Sequence, residues 1–129
     1  MTKLEMEKAI ISKIKAIVED NNESDKIQRE WIEREIESGS DPDNWKDQFF
    51  FNGYIYTGEL EDIISVVMFD KPATVHAPYE RGVRYAGIYW NNLTDDERAK
   101  INRVINGMVK ANIIRVSKSG AMVKLLKED

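Results

Sequence analysis

Cysteine is absent from the 129 residues. Disulfides, Cys-ligated zinc and a thiol nucleophile are therefore excluded. Histidine occurs once, at His76, which excludes a His-rich metal site and most His-based triads. With no second ligand at metal spacing, His76 reads as a structural or exposed residue, not a catalytic one. The seven glycines never fall at the spacing of a phosphate-binding loop. The longest apolar run, Val66-Val67-Met68-Phe69, is far short of a membrane span. Charged residues run through the first turns, where a secretory signal would be apolar. These absences point to a cytoplasmic, non-enzymatic binding protein without cofactor, metal or membrane contact.

What is present is apolar enough for one core. Hydrophobic residues make up 42% and charged residues 33%, too apolar for a disordered acidic chain. The charge is divided unevenly along the chain. Residues 1–70 carry 8 Lys/Arg and 17 Asp/Glu, whereas residues 71–129 carry 11 and 6. Such a split suggests two surfaces with different partners, or an acidic solvated helical layer merely offset by the basic part.

The apolar periodicity predicts a helix over 3–20, with Leu4, Met6, Ile10, Ile11, Ile14, Ile17 and Val18 on one stripe. Thr2 and Glu5 have capping-box spacing at its start. Asp20-Asn21-Asn22 is expected to end it. Ser24 is expected to cap a second helix running to about Ser38, with Gly39 as its stop. The stripe is wide for a small domain to cover, so a homodimer through residues 1–40 is expected.

Asp41-Pro42 carries the cap-then-proline signature of a helix start. Trp45, Phe49, Phe50, Phe51, Tyr54 and Tyr56 follow, half of the chain's twelve aromatics within twelve residues. Asn52-Gly53 fits a hairpin turn between the Phe and Tyr arms. It also fits the end of a helix begun at Pro42, and the spacing of Trp45 and Phe49 favours the helix. As a docking surface, this cluster would present Trp45, Phe49, Tyr54 and Tyr56 to a protein partner. Core packing that joins two halves of the chain is the preferred reading, since aromatics dominate core energetics.

Residues 59–69 read as a buried helix closed by Pro72, 73–77 as a short strand, and 79–90 as a further helix. Thr94-Asp95-Asp96-Glu97 is a second capping box, opening a helix over 95–111. Ile101, Val104, Ile105 and Met108 form its inward stripe, expected to be buried with Ile63, Val67 and Val116. Asn112 can take the left-handed conformation that ends it. Gly107, inside this helix, is expected either to permit close packing against another helix or to be a local weakness in it. Two strands, 113–116 and 121–126, then flank a turn at Lys118-Ser119-Gly120.

From Leu93 onward the chain resembles the winged helix-turn-helix superfamily. The residues that carry this are Thr94 to Arg98, the helix end Val109-Lys110-Ala111-Asn112-Ile113-Ile114-Arg115-Val116, and the hairpin Ser117 to Leu126. Asn112 stands where that family usually has glycine. The order of predicted elements from 59 onward fits as well. The resemblance implies a fold that is mainly α with a small β-hairpin: a winged-helix domain over 57–129, preceded by an acidic helical extension over 1–56.

It also implies a regulator that lays helix 95–111 in the major groove of duplex DNA. Asn102, Arg103 and Asn106 are then the candidate base readers. Lys110 shares their outward face, and Lys118, Lys124, Arg81 and Arg84 are candidate phosphate contacts. Asp95, Asp96 and Glu97 would face phosphate unless turned away. The alternative is an acidic protein-interaction module. Such a chain suits a viral or mobile-element inhibitor of a nucleic-acid-handling enzyme, its carboxylates standing in for phosphates.

Overall fold

The computed structural model describes residues 1–76 and 89–127. Its first element is one helix, α1 (Lys3–Glu37), and not the two expected. Thr2 caps it as predicted, accepting from the Glu5 N–H at 3.1 Å. No glycine or proline interrupts residues 3–38, and the polar residues read as a break are used sideways. Asn21 Nδ2 donates to the Tyr54 carbonyl at 3.2 Å. Asp25, one turn further on, is buried and accepts from the Phe51 and Asn52 N–H groups. Tertiary partners thus override weak local helix preference. Gly39 does stop the helix, at φ 104°. The Gly39 and Ser40 N–H groups close on the Ile36 and Glu35 carbonyls, the double bond pattern of a glycine-terminated helix.

The helix expected from Pro42 is reduced to a single 3-10 turn, Pro42–Trp45, capped by Asp41. Continuing it would have required the Phe51 and Asn52 N–H groups to bond back along the helix, and Asp25 takes both. Asn52-Gly53 is instead a tight turn, with φ 51° and 86° and a bond from the Tyr54 N–H to the Phe51 carbonyl. It leads into β1 (Tyr54–Tyr56).

Helix α2 (Thr57–Phe69) follows at once and ends on Asp70 at φ 56°. Its buried Ser65 donates to the Lys71 carbonyl, and its Asp62 accepts from the Ala73 N–H. These bonds hold the chain as it enters β2 (Thr74–His76). β2 pairs antiparallel with β3 (Tyr89–Asn91). The helix expected over 79–90 is therefore corrected at its end, where residues 89 and 90 are strand; residues 79–88 lie outside the described residues.

Helix α3 (Asp95–Lys110) leads through Asn112 into β4 (Ile114–Val116) and β5 (Met122–Leu125). Residues 95–126 thus form the helix and antiparallel hairpin that their sequence predicts. Asn112 is left-handed at φ 56°, and the Asn112 and Ile113 N–H groups close on the Val109 and Met108 carbonyls. The hairpin gains a third strand, since β1 pairs antiparallel with β5 to give the order β1-β5-β4.

The described chain is thus mainly helical, with a small three-stranded antiparallel sheet. No described helix is long and apolar enough to cross a membrane. One sheet face turns inward: Ile55 lies opposite Val123, which lies opposite Val116. The core takes Ile10, Ile11 and Ile14 from α1, Leu60, Ile63 and Ile64 from α2, and Ile101 and Met108 from α3. It therefore draws on both sides of residue 56. Val67, Val104, Ile105 and Val116, expected to be buried, are half-buried at its edge. The α1 stripe is covered within the chain at Ile10, Ile11 and Ile14, while Leu4, Ile27 and Trp31 of residues 1–40 remain exposed.

Candidate functional site

The acidic start of α3 is the first determinant of what that helix can meet. Thr94 accepts from the Glu97 N–H at 3.1 Å, and Glu97 Oε1 accepts from the Thr94 N–H at 3.0 Å. The same oxygen pairs with Lys71 Nζ at 2.9 Å. The bond from the Thr94 N–H, then that from Lys71, holds the Glu97 carboxyl below the usual carboxylate range. Asp96 pairs with Lys100 one turn along, at 3.2 Å. Of the three carboxylates, one is folded into the cap and one is matched by a cation on its own helix, leaving Asp95 exposed.

Further along α3, Asn102, Arg103, Asn106 and Lys110 are all exposed. Helical spacing puts Asn102, Asn106 and Lys110 in one row, with Arg103 beside it. Lys118 is exposed at the tip of the hairpin, where Gly120 takes φ 80° and its N–H bonds the Ser117 carbonyl. Arg81 and Arg84 lie outside the described residues. Thr57 anchors the hairpin to the start of α2, its N–H donating to the Ala121 carbonyl and its hydroxyl to that of Gly120. Two hydrogen bonds thus tie the tip to the start of α2.

Lys124 is placed differently from the expectation of a free phosphate contact. Strand register aligns Tyr54, Lys124 and Arg115 in one row on the outer sheet face. Lys124 Nζ sits 5.7 Å from the Tyr54 ring centroid, and Arg115 Nη2 donates to the Tyr54 hydroxyl at 3.0 Å. Two cations therefore converge on one tyrosine. Arg115 was missed as a candidate, although strand alternation at 114–116 already assigns it the outward face.

The aromatic segment also differs from its preferred reading as core. None of its six aromatics is among the buried core residues. The core is almost wholly aliphatic, and the aromatics form a layer over the far half of α1. Trp31 and Trp45 meet edge to face at 4.9 Å, and Trp45 Nε1 donates to Ser40 Oγ. Phe51 contacts Phe49 at 5.0 Å and Tyr56 at 5.9 Å, again edge to face. Arg29 lies over Phe50 at 4.5 Å. Phe49 is 53% exposed and Tyr56 and Trp31 are each 47% exposed. Trp45 and Tyr54 are half-buried. The expected docking residues therefore split: Phe49 and Tyr56 are open to solvent and rest on Phe51, while Trp45 packs on Trp31 and Tyr54 meets Arg115 and Lys124.

Gly107 does not admit a close helix. A methyl group added there meets nothing within 4 Å, so the position opens onto a groove between α3 and the first turns of α1. No family model, curated protein or solved structure matches this chain.

Proposed function

We propose that the protein is a non-enzymatic regulator that binds duplex DNA through α3 and the hairpin after it, in the manner of a winged helix. The observation that carries this reading is the state of the first turn of α3. Glu97 is spent on the cap and Lys71, and Asp96 on Lys100. The exposed row of Asn102, Asn106 and Lys110 with Arg103 then faces outward with Asp95 as the one carboxylate of that turn left unmatched among the described residues. Arg and Asn are the side chains that make two bonds to guanine and adenine edges. Lys118 at the anchored tip suits a backbone phosphate.

A salt titration against random duplex DNA tests this. Affinity should fall steeply with salt, because each neutralised phosphate releases counterions. On a selected site, Arg103→Ala should cost about 1–3 kcal/mol, and Lys118→Ala should weaken all sequences alike and lower the salt slope by about one. No binding at about 50 mM salt, where screening is weak, would end the reading.

A second reading is favoured by the exposed aromatics. Phe49, Tyr56 and Trp31 stand open on the part of the chain that is rich in acid. Large exposed apolar side chains rimmed by charge mark protein contacts. Under this reading the far half of α1 and residues 45–56 dock a basic partner, a second copy or an enzyme that handles nucleic acid. Phe49→Ala with Trp31→Ala should abolish partner capture in a protein whose circular dichroism shows that it is still folded.

A further inference from the structure

Between the first two turns of α1 and the middle of α3 lies a groove of about 280 Å³. Met6 and Ile10 form one wall, Val104 and Met108 the other. Lys3 and Arg103 line it as well, and neither forms an ion pair among the described residues. The one carboxylate along it, Glu7, lies 3.9 Å from Lys127 Nζ. The charged residues that line the groove are therefore Lys3 and Arg103 against Glu7, whose carboxylate is itself matched by Lys127, a positive balance over apolar walls.

Gly107 lines this space. Its φ is not left-handed, and a side chain there would meet nothing within 4 Å. A glycine inside a helix costs stability relative to alanine. Neither backbone conformation nor close packing calls for it here. It leaves the groove lining near Arg103 without a side chain at this position.

We propose that this groove binds a small organic anion with an apolar body, of the class of medium-chain carboxylates. The walls from Met6, Ile10, Val104 and Met108 take the chain, and Lys3 and Arg103 take the charged end. Arginine suits this end because its planar fork matches a carboxylate with two parallel bonds. The volume lies just below the range of drug-sized sites, which fits a small ligand and not a cofactor. The site shares Arg103 with the proposed DNA face, but octanoate binding is measured without DNA, so its failure and that of the DNA reading are distinguishable.

Calorimetric titration of the full chain with octanoate tests it, with octylamine as a probe of the same body and opposite charge. Octanoate should bind saturably at one site, and the amine at least about tenfold more weakly. Gly107→Leu fills the groove and should weaken octanoate by at least about tenfold while helical content and thermal midpoint are kept. Lys3→Gln and Arg103→Gln, both at exposed positions, should each weaken it several-fold and keep the test open if Gly107→Leu misfolds. No octanoate binding at low-millimolar concentration would overturn the proposal. So would equal affinity for the amine, or wild-type affinity in the folded Gly107→Leu and Arg103→Gln variants.

Discussion

Asp25 clamps Asn52 from the middle of a helix. One carboxylate oxygen accepts from the Asn52 N–H at 2.9 Å, and the other accepts from Phe51 at the same distance. Asp25 is only 4% exposed. This pair sets the turn that directs the chain into β1, and so decides which strand completes the sheet. Asp25→Ala leaves two backbone donors without their charged acceptor and should cost about 3 kcal/mol. Asp25→Asn keeps one acceptor oxygen and should cost less. Urea unfolding of the three proteins checks the order; equal midpoints would show that water replaces the carboxylate freely.

The two isoleucines of α3 separate core from edge. Ile101 is 2% exposed, whereas Ile105 is half-buried. Ile101→Ala should cost about 2–5 kcal/mol, the range for a truncated core aliphatic. Ile105→Ala should cost clearly less. Equal losses by denaturant unfolding would place α3 at a different rotation against the core.

Glu97 makes stability depend on acid. Its folded pKa is lowered, by the Thr94 N–H first and by Lys71 second. The stabilisation is therefore fully present above the unfolded carboxyl's value, about 4.3, and fades as pH falls through the folded value. Wild type should exceed Glu97→Gln in urea midpoint at neutral pH, and the two should converge on acidification below that value. A difference that stays constant with pH would mean that Glu97 acts through shape and not charge.

Gly107→Ala should raise stability by about 0.5–1 kcal/mol, because the helix gains propensity and the added methyl meets nothing. A lower thermal midpoint would show that the groove closes on α3 in solution.

Arg103 both lines the groove and belongs to the proposed DNA face. Octanoate should therefore weaken DNA binding, and DNA should weaken octanoate by the same factor, since coupling between sites is reciprocal. Unchanged DNA affinity at saturating octanoate would separate the two sites without affecting either alone.

The elements legible in the chain were those whose signals are local. Thr94 and Glu97 mark the start of α3 through bonds spanning three residues. Asn112 marks its end, and the Ser117 to Gly120 turn forces β4 against β5. Sequence alone was sufficient there, because each cap or turn is satisfied by groups within a few residues. The exposure of Asn102, Arg103, Asn106 and Lys110 followed from the same helical period.

Tertiary structure decided the rest. Asn21 and Asp25 carry the composition of a helix end, yet their partners lie 33 and 26 to 27 residues away, and those bonds keep α1 unbroken. Asn52-Gly53 suited a helix end and a turn equally, and only the carboxylate of Asp25 chose between them. The aromatic cluster lies outside a core filled by aliphatic side chains from α1, α2, α3 and the sheet. The groove at Gly107 is lined from both α1 and α3, which are far apart in sequence. Local periodicity reports which face of a helix is apolar; what covers that face depends on contacts that no single stretch of the chain contains.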